Sequence, residues 1–238
     1  SVADNSSIQI DYNNGVIAQT VTRGVTGVAV APALLTISDS DPYNFGTLAT
    51  GASAQHTFTI TNTGSFQASA IIENGIAAPF TYVGGSYPGT AGTCPNVLAG
   101  GSTCTIVVQY APGIVSPLDT DAISFDYNDG VNAQTVARTI QGVAVTPANI
   151  TISEADPYDY GTVAQGAVLN HTFTLTNTGG FTASAIADIG LAAPFGFAGG
   201  SFPGTAGTCT ATLAPAAACT IVVAYSPTGT GASAGDIE

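Results

Sequence analysis

The chain has 238 residues, 45% of them apolar, which is enough to bury one or two cores and excludes a disordered tail. Fifteen acidic residues stand against two arginines, Arg23 and Arg138, and no lysine, for a formal net charge of −13. That balance repels nucleic acid and anionic membrane surfaces, and no apolar run is long enough for a membrane-spanning helix.

No basic segment followed by an apolar one opens the chain, so Ser1 reads as the start of a mature protein. The apolar residues that follow alternate with a period of two, the signature of half-buried strands, and helical periodicity is absent. Ile8, Ile10 and Tyr12 share one parity, and Asn14-Gly15 behind them is a two-residue signal for a type I′ hairpin. Strands are then predicted near 33–38, 44–49, 53–62, 66–73, 78–83, 102–110, 122–128 and 131–145. His56, Phe58 and Ile60 alternate with threonines in one of them; Cys104, Ile106, Val108 and Tyr110 share the inward parity of another. Residues 84–100 form a Gly/Pro-rich loop and 116–123 a connecting loop. Ile123, Phe125 and Tyr127 then repeat the pattern of 8–12, with Asp129-Gly130 as a second turn signal.

The second half repeats the first at an offset of 115 residues. Asp41-Pro42-Tyr43 recurs as Asp156-Pro157-Tyr158, the strand from His56 to Gly64 as His171 to Gly179, and Pro88 to Cys94 unchanged as Pro203 to Cys209. The first thirty residues join the same register, since Ile8 to Gly15 matches Ile123 to Gly130 and Gly27-Val28-Ala29-Val30 matches Gly142 to Val145. The sequence therefore predicts an all-β protein of tandem immunoglobulin-like β-sandwiches. Residues 1–30 are the final strand pair of a unit, 31–145 a complete unit, and 146–238 a unit without its last two strands, which would fall at 237–260.

Four cysteines, Cys94, Cys104, Cys209 and Cys219, form two pairs with a spacing of ten. Two short-range disulfides are the natural reading, and they imply an oxidising compartment. Zinc is the alternative, although it ordinarily takes tighter cysteine pairs or histidine ligands.

Phe45-Gly46-Thr47, then Thr57 to Gly64, then Cys104 to Pro112, then Gly142-Val143-Ala144 together resemble the bacterial choice-of-anchor D repeat, a relative of the abnormal-spindle/hydin immunoglobulin-like modules. The resemblance implies a seven-stranded sandwich used in tandem in surface or extracellular proteins, as a scaffold without shared catalytic residues. Such arrays normally continue, whereas this chain begins and ends inside a unit.

Little in the sequence points to chemistry. His56 and His171 are the only histidines, occupy one repeat position, and have no nucleophile-elbow sequence to work with. Asp39/Asp41, Asp119/Asp121 and Asp126/Asp129 could offer oxygen ligands to calcium, but none matches a calcium-loop spacing, and aspartates commonly cap turns. No enzyme activity, cofactor or metal is expected. The function expected is that of a structural subunit, extracellular or at the cell surface, whose partner is itself. The strands of 1–30, with Ile8, Ile10, Tyr12, Asn14 and Gly15, would complete the second sandwich of a neighbour. A fragment of a long adhesin or stalk is the alternative, a carbohydrate- or calcium-dependent binding module the third; any surface receptor or glycan partner is unspecified.

Overall fold

The computed structural model describes residues 3–237; residues 1, 2 and 238, which belong to the expected donor segment and to the second unit, lie outside the described residues. In chain order the strands are β1 (Ala3–Asn13), β2 (Ala18–Val28), β3 (Leu35–Ile37), β4 (Tyr43–Ala49), β5 (Ala54–Asn62), β6 (Ser69–Glu73), β7 (Phe80–Tyr82) and β8 (Thr103–Tyr110). They continue with β9 (Ser116–Asn128), β10 (Ala133–Val145), β11 (Ile150–Ile152), β12 (Leu169–Asn177), β13 (Ala183–Ser184), β14 (Phe195–Phe197), β15 (Thr212–Leu213) and β16 (Ala218–Tyr225). The described residues contain no helix. Two compact units account for the chain: Ser1–Phe45 with Ala54–Tyr110 and Thr120–Gln141, and Gly46–Ser53 with Ala111–Asp119 and Gly142–Glu238.

The strands between residues 33 and 145 form two four-stranded sheets, ordered β3-β5-β8-β7 and β4-β10-β9-β6. Alternation puts Phe58 and Ile60 of β5 beside Ile106 and Cys104 of β8, all four buried. The other sheet supplies Ile123, Phe125, Tyr127, Ile140 and Ala144, also buried. Each large side chain so enclosed contributes about 1.5–3 kcal/mol.

Two expectations are corrected. Residues 116–121 are not loop: β9 begins at Ser116, and its first seven residues are half-buried or exposed. Backbone pairing with the equally long β10 holds this stretch, and such pairing leaves no apolar alternation to read. The turns after β1 and β9 are four-residue loops, 14–17 and 129–132, not two-residue type I′ turns. Asn14 Oδ1 accepts the amides of Val16 and Ile17 at 2.9 Å, and Asp129 Oδ1 accepts those of Val131 and Asn132 at 2.7 Å, so a side chain closes the loop.

Disulfides join Cys94 to Cys104 and Cys209 to Cys219, with Cα atoms 4.8 Å apart in both, and no described cysteine is free. Each ties a Gly/Pro loop to the strand that follows. The loop lies so close to that strand that a Cβ on Gly89 would sit 2.4 Å from the carbonyl oxygen of Val107; at Gly204 the distance to Val222 is 2.2 Å. Both positions also have φ of +89°, so glycine is required twice over.

A buried amide, missed in the sequence, anchors each unit. Asn62 is fully enclosed. Its Nδ2 donates to the carbonyls of Phe66 (2.8 Å) and Leu98 (3.0 Å), and its Oδ1 accepts the amides of Leu34 and Gly64 at 3.1 Å. Asn177 repeats the pattern with Phe181, Leu213, Asn149 and Gly179.

The strands after residue 146 build one four-stranded sheet, β11-β12-β16-β14, in the same register as its counterpart, with Phe173 opposite Ile221 and Leu175 opposite Cys219, and a two-stranded one, β13-β15. A counterpart of the sheet β4-β10-β9-β6 is not formed among the described residues. Residues 158–164, counterpart of β4, carry no strand, and of the counterpart of β6 at 184–188 only Ser184 is in a strand, β13, paired with β15. In the first copy β4 bonds to β10 and β6 to β9. Without those two strands the flanking segments have no ladder to join.

Replacing Asn62 with alanine leaves the Phe66 carbonyl and the amides of Leu34 and Gly64 unpaired, while the Leu98 carbonyl keeps only the Ala68 amide, and is expected to cost about 2–4 kcal/mol. Urea unfolding of the variant checks this; a loss below about 1 kcal/mol would contradict the assigned role.

Candidate assembly site

β1 and β2 form a two-stranded sheet of their own, in unbroken register from Ala3 opposite Val28 to Asn13 opposite Ala18. Every residue of the pair is exposed except Gln19, which is half-buried. Cross-strand partners share a face, so Ile8, Ile10 and Tyr12 lie beside Arg23, Val21 and Gln19 on the same side. Ile8, Ile10 and Tyr12 are 53%, 55% and 52% exposed, against 0%, 1% and 5% for Ile123, Phe125 and Tyr127.

The hairpin nevertheless has the internal bonding of its buried counterpart. Thr20 Oγ1 donates to Asp11 at 2.6 Å, as Thr135 does to Asp126. The Asn14 amide reaches Ile17 O at 3.1 Å, as Asp129 reaches Asn132 O at 3.0 Å, and Gly15 N meets Asn13 Oδ1 as Gly130 N meets Asn128 Oδ1, both at 2.8 Å. Gly15 and Gly130 have φ of +95° and +98°. What differs is the surroundings: a Cβ at Gly130 would strike the Phe66 ring at 2.5 Å, while Gly15 has nothing within 4 Å.

In the first sandwich that hairpin is held by specific contacts. Leu35 N donates to Tyr127 Oη (3.2 Å), Ala33 N to Asp129 O (3.0 Å), and the Tyr87 ring lies 5.7 Å from Phe125. The groups that would make these contacts in the second unit are Ile150 N, Ala148 N and Phe202. The second core is correspondingly open: Ile152 is 42% exposed where Ile37 is 5%, and Ile150, Tyr158, Tyr160, Ile186 and Phe202 are half-buried. Its aromatic cluster is already set, with Phe195 and Tyr225 stacked at 4.9 Å like Phe80 and Tyr110. Burial pushes the Tyr160 phenol up to about 12.

The histidines are strand-edge packing groups. His56 stacks on Tyr43 at 4.0 Å with Nε2 3.2 Å from Asp39 Oδ2, and His171 stacks on Tyr158 at 3.9 Å with Nε2 3.8 Å from Glu154. A hydrogen bond from Ser38, with smaller help from His56 and Arg138, holds the Asp39 carboxyl below its ordinary value. Asp41 and Asp121 cap backbone, accepting the amides of Thr139 and Ala77, and Asp126 accepts the Thr135 hydroxyl. No group of three metal-ligating side chains occurs among the described residues.

The fold is all-β and immunoglobulin-like, and residues 36–143 match the family model of the HYDIN/CFA65/VesB-like, Ig-like domain. The choice-of-anchor D assignment is thus supported only as far as an immunoglobulin-like family. Among solved structures the chain is similar to a protein of unknown function from Porphyromonas gingivalis W83, at 9% identity and TM-score 0.37, over 81% of this chain and 83% of that one. It is also similar to the secreted serine protease VesC from Vibrio cholerae, at 16% identity and TM-score 0.29, over 85% of this chain and 50% of VesC, so it spans half the length of that protein. None of the curated proteins matches it in sequence.

The two turn caps differ in one testable way. Backbone amides of Asn132 and Val131 hold the Asp129 carboxyl below the ordinary aspartate value, whereas Asn14 does not titrate. A depressed carboxyl gives stability that is present above the unfolded value near 4 and lost as pH falls through the folded one. NMR titration is expected to show the 129–132 turn loosening below about pH 4 while 14–17 is unaffected; simultaneous loosening would contradict this.

Proposed function

We propose that the protein is a structural subunit of an extracellular fibre or surface assembly that polymerises head to tail. Residues 1–30 of one molecule enter the second sandwich of the next, between 158–164 and 184–188, as donated strands. The units are those read from the repeat: a donor pair at 1–30, a complete sandwich at 31–145 and an acceptor at 146–238.

One observation carries the reading. A hairpin already bonded like the core hairpin of the first sandwich exposes its apolar face, while among the described residues no hairpin pairs at the corresponding place in the second unit. An exposed face of this kind and an open ladder are aggregation hazards unless they are satisfied together. Insertion buries Ile8, Ile10, Tyr12, Val21 and Val25, each worth about 1.5–3 kcal/mol, against an association cost of about 4–15 kcal/mol. Such a contact is heterologous and does not close, so it propagates. The disulfides and the lysine-free acidic composition support an oxidising, exposed location. No role as an enzyme and no cofactor enters this reading.

The same register favours a second reading, a segment of a repetitive stalk or adhesin in which a further repeat supplies the hairpin covalently. Intact mass of the native material separates the two. Deleting residues 1–30 is expected to leave monomers that no longer polymerise, yet stop polymers of the full chain when added in excess. Undiminished polymerisation of the deletion variant would contradict strand donation.

A further inference from the structure

Arg23 is an unusual residue to find on the apolar face of a hairpin. It lies opposite Ile8, beside Ile10 and Val21, and no side-chain partner occurs for it among the described residues. Its repeat counterpart Arg138 is half-buried, and its Nη2 donates to the carbonyl oxygen of Ile37. Next to it the Thr139 amide donates to Asp41 Oδ1 at 3.0 Å, and the Asp39 carboxylate senses the Arg138 charge. An offset of 115 turns these partners into Ile152, Asp156 and Glu154. Ile152 is exposed, and the Glu154 side chain is 45% exposed with His171 at 3.8 Å. These two arginines are the only basic side chains besides histidine in a chain of 15 carboxylates.

We infer that Arg23 is the register latch of the intermolecular junction, donating to the Ile152 carbonyl oxygen and lying beside the Glu154 carboxylate of the receiving molecule. The inference rests on the strand-donation reading above and adds what selects one alignment. A slip of one residue turns the apolar face outward and is excluded by burial alone. A slip of two residues, about 7 Å, keeps the parity and sets isoleucine where isoleucine belongs, so the apolar residues discriminate against it poorly. The single inward cation does discriminate: after such a slip the guanidinium leaves its carbonyl and carboxylate and lies unpaired against apolar side chains. In a strongly acidic protein it is also the one donor-face group that attracts the acceptor's carboxylates, an attraction that salt screens.

The full chain tests this in three forms, unaltered, Arg23→Gln and Arg23→Lys, with critical concentration for polymerisation measured at low and high salt. Arg23→Gln is expected to raise the critical concentration about ten-fold or more and to flatten its salt dependence, with Arg23→Lys intermediate. Adding Glu154→Gln to Arg23→Gln is expected to cost little further. Register is read by crosslinking. Ser69 pairs with Asn128 in the first sandwich, so Asn13→Cys with Ser184→Cys reports the correct alignment, and Asp11→Cys with Ser184→Cys the two-residue slip. The slipped pair is expected to crosslink only on the Arg23→Gln background. If Arg23→Gln polymers show unchanged critical concentration, salt dependence and crosslinks, the latch is wrong and strand donation stands. If the unaltered chain does not polymerise through residues 1–30, both fall.

Discussion

The backbone ladder of the sheet β4-β10-β9-β6 is the constraint on which the rest depends. Its two central strands come from one hairpin, and its two outer strands, β4 and β6, are extended only because that hairpin offers them amides and carbonyls. Where the hairpin is present, in the first sandwich, both outer strands form and Ile37, Phe80 and Ile71 are buried. In the second unit residues 158–164 and 185–188 carry no strand, and Ile152 is left open to solvent. The contrast comes from nearly the same sequence in both copies, so it follows the hairpin and not local propensity.

The other sheet of each unit needs no such help. Its register is set by alternating Phe58/Ile60 and Phe173/Leu175 against Ile106/Cys104 and Ile221/Cys219. A disulfide pins the preceding loop to β8 or β16, with a loop-closure contribution of about 2–3 kcal/mol. Asn62 and Asn177 then join the strand end to two loops by four hydrogen bonds each, which no apolar residue could supply. For the strand donation proposed above, one finished sheet and a preset aromatic cluster in the second unit would lower the ordering cost of receiving a strand.

Most of this fold was legible because burial writes a period of two into the sequence. All eight strands expected between 33 and 145 exist, within a few residues at their ends except for β9. What could not be read is what backbone alone decides. The stretch 116–121, with Pro117, Asp119 and Asp121, has no apolar alternation and is strand only because β10 runs alongside it. Asn14-Gly15 and Asp129-Gly130 mark turns correctly, but the loop length depends on a side-chain oxygen capping two amides. The buried asparagines continue the inward parity of Phe58/Ile60 and Phe173/Leu175, but a polar residue at the end of a strand, just before Thr-Gly, reads equally well as the start of a turn. The candidate assembly residues Ile8, Ile10, Tyr12, Asn14 and Gly15 read as a strand and a turn by themselves, and it was the repeat, which aligns them with Ile123 to Gly130, that marked them as a hairpin of sandwich type.

Hydrogen exchange of the amides in 158–164 is the most direct measurement on the central claim. In the dispersed chain they have no strand partner and are expected to exchange fast. On assembly, or on adding the isolated 1–30 hairpin to chains that lack it, they are expected to become as protected as those of Tyr43–Ala49, with loss of exposure at Ile152. Fast exchange of 158–164 in the assembled state would contradict the account.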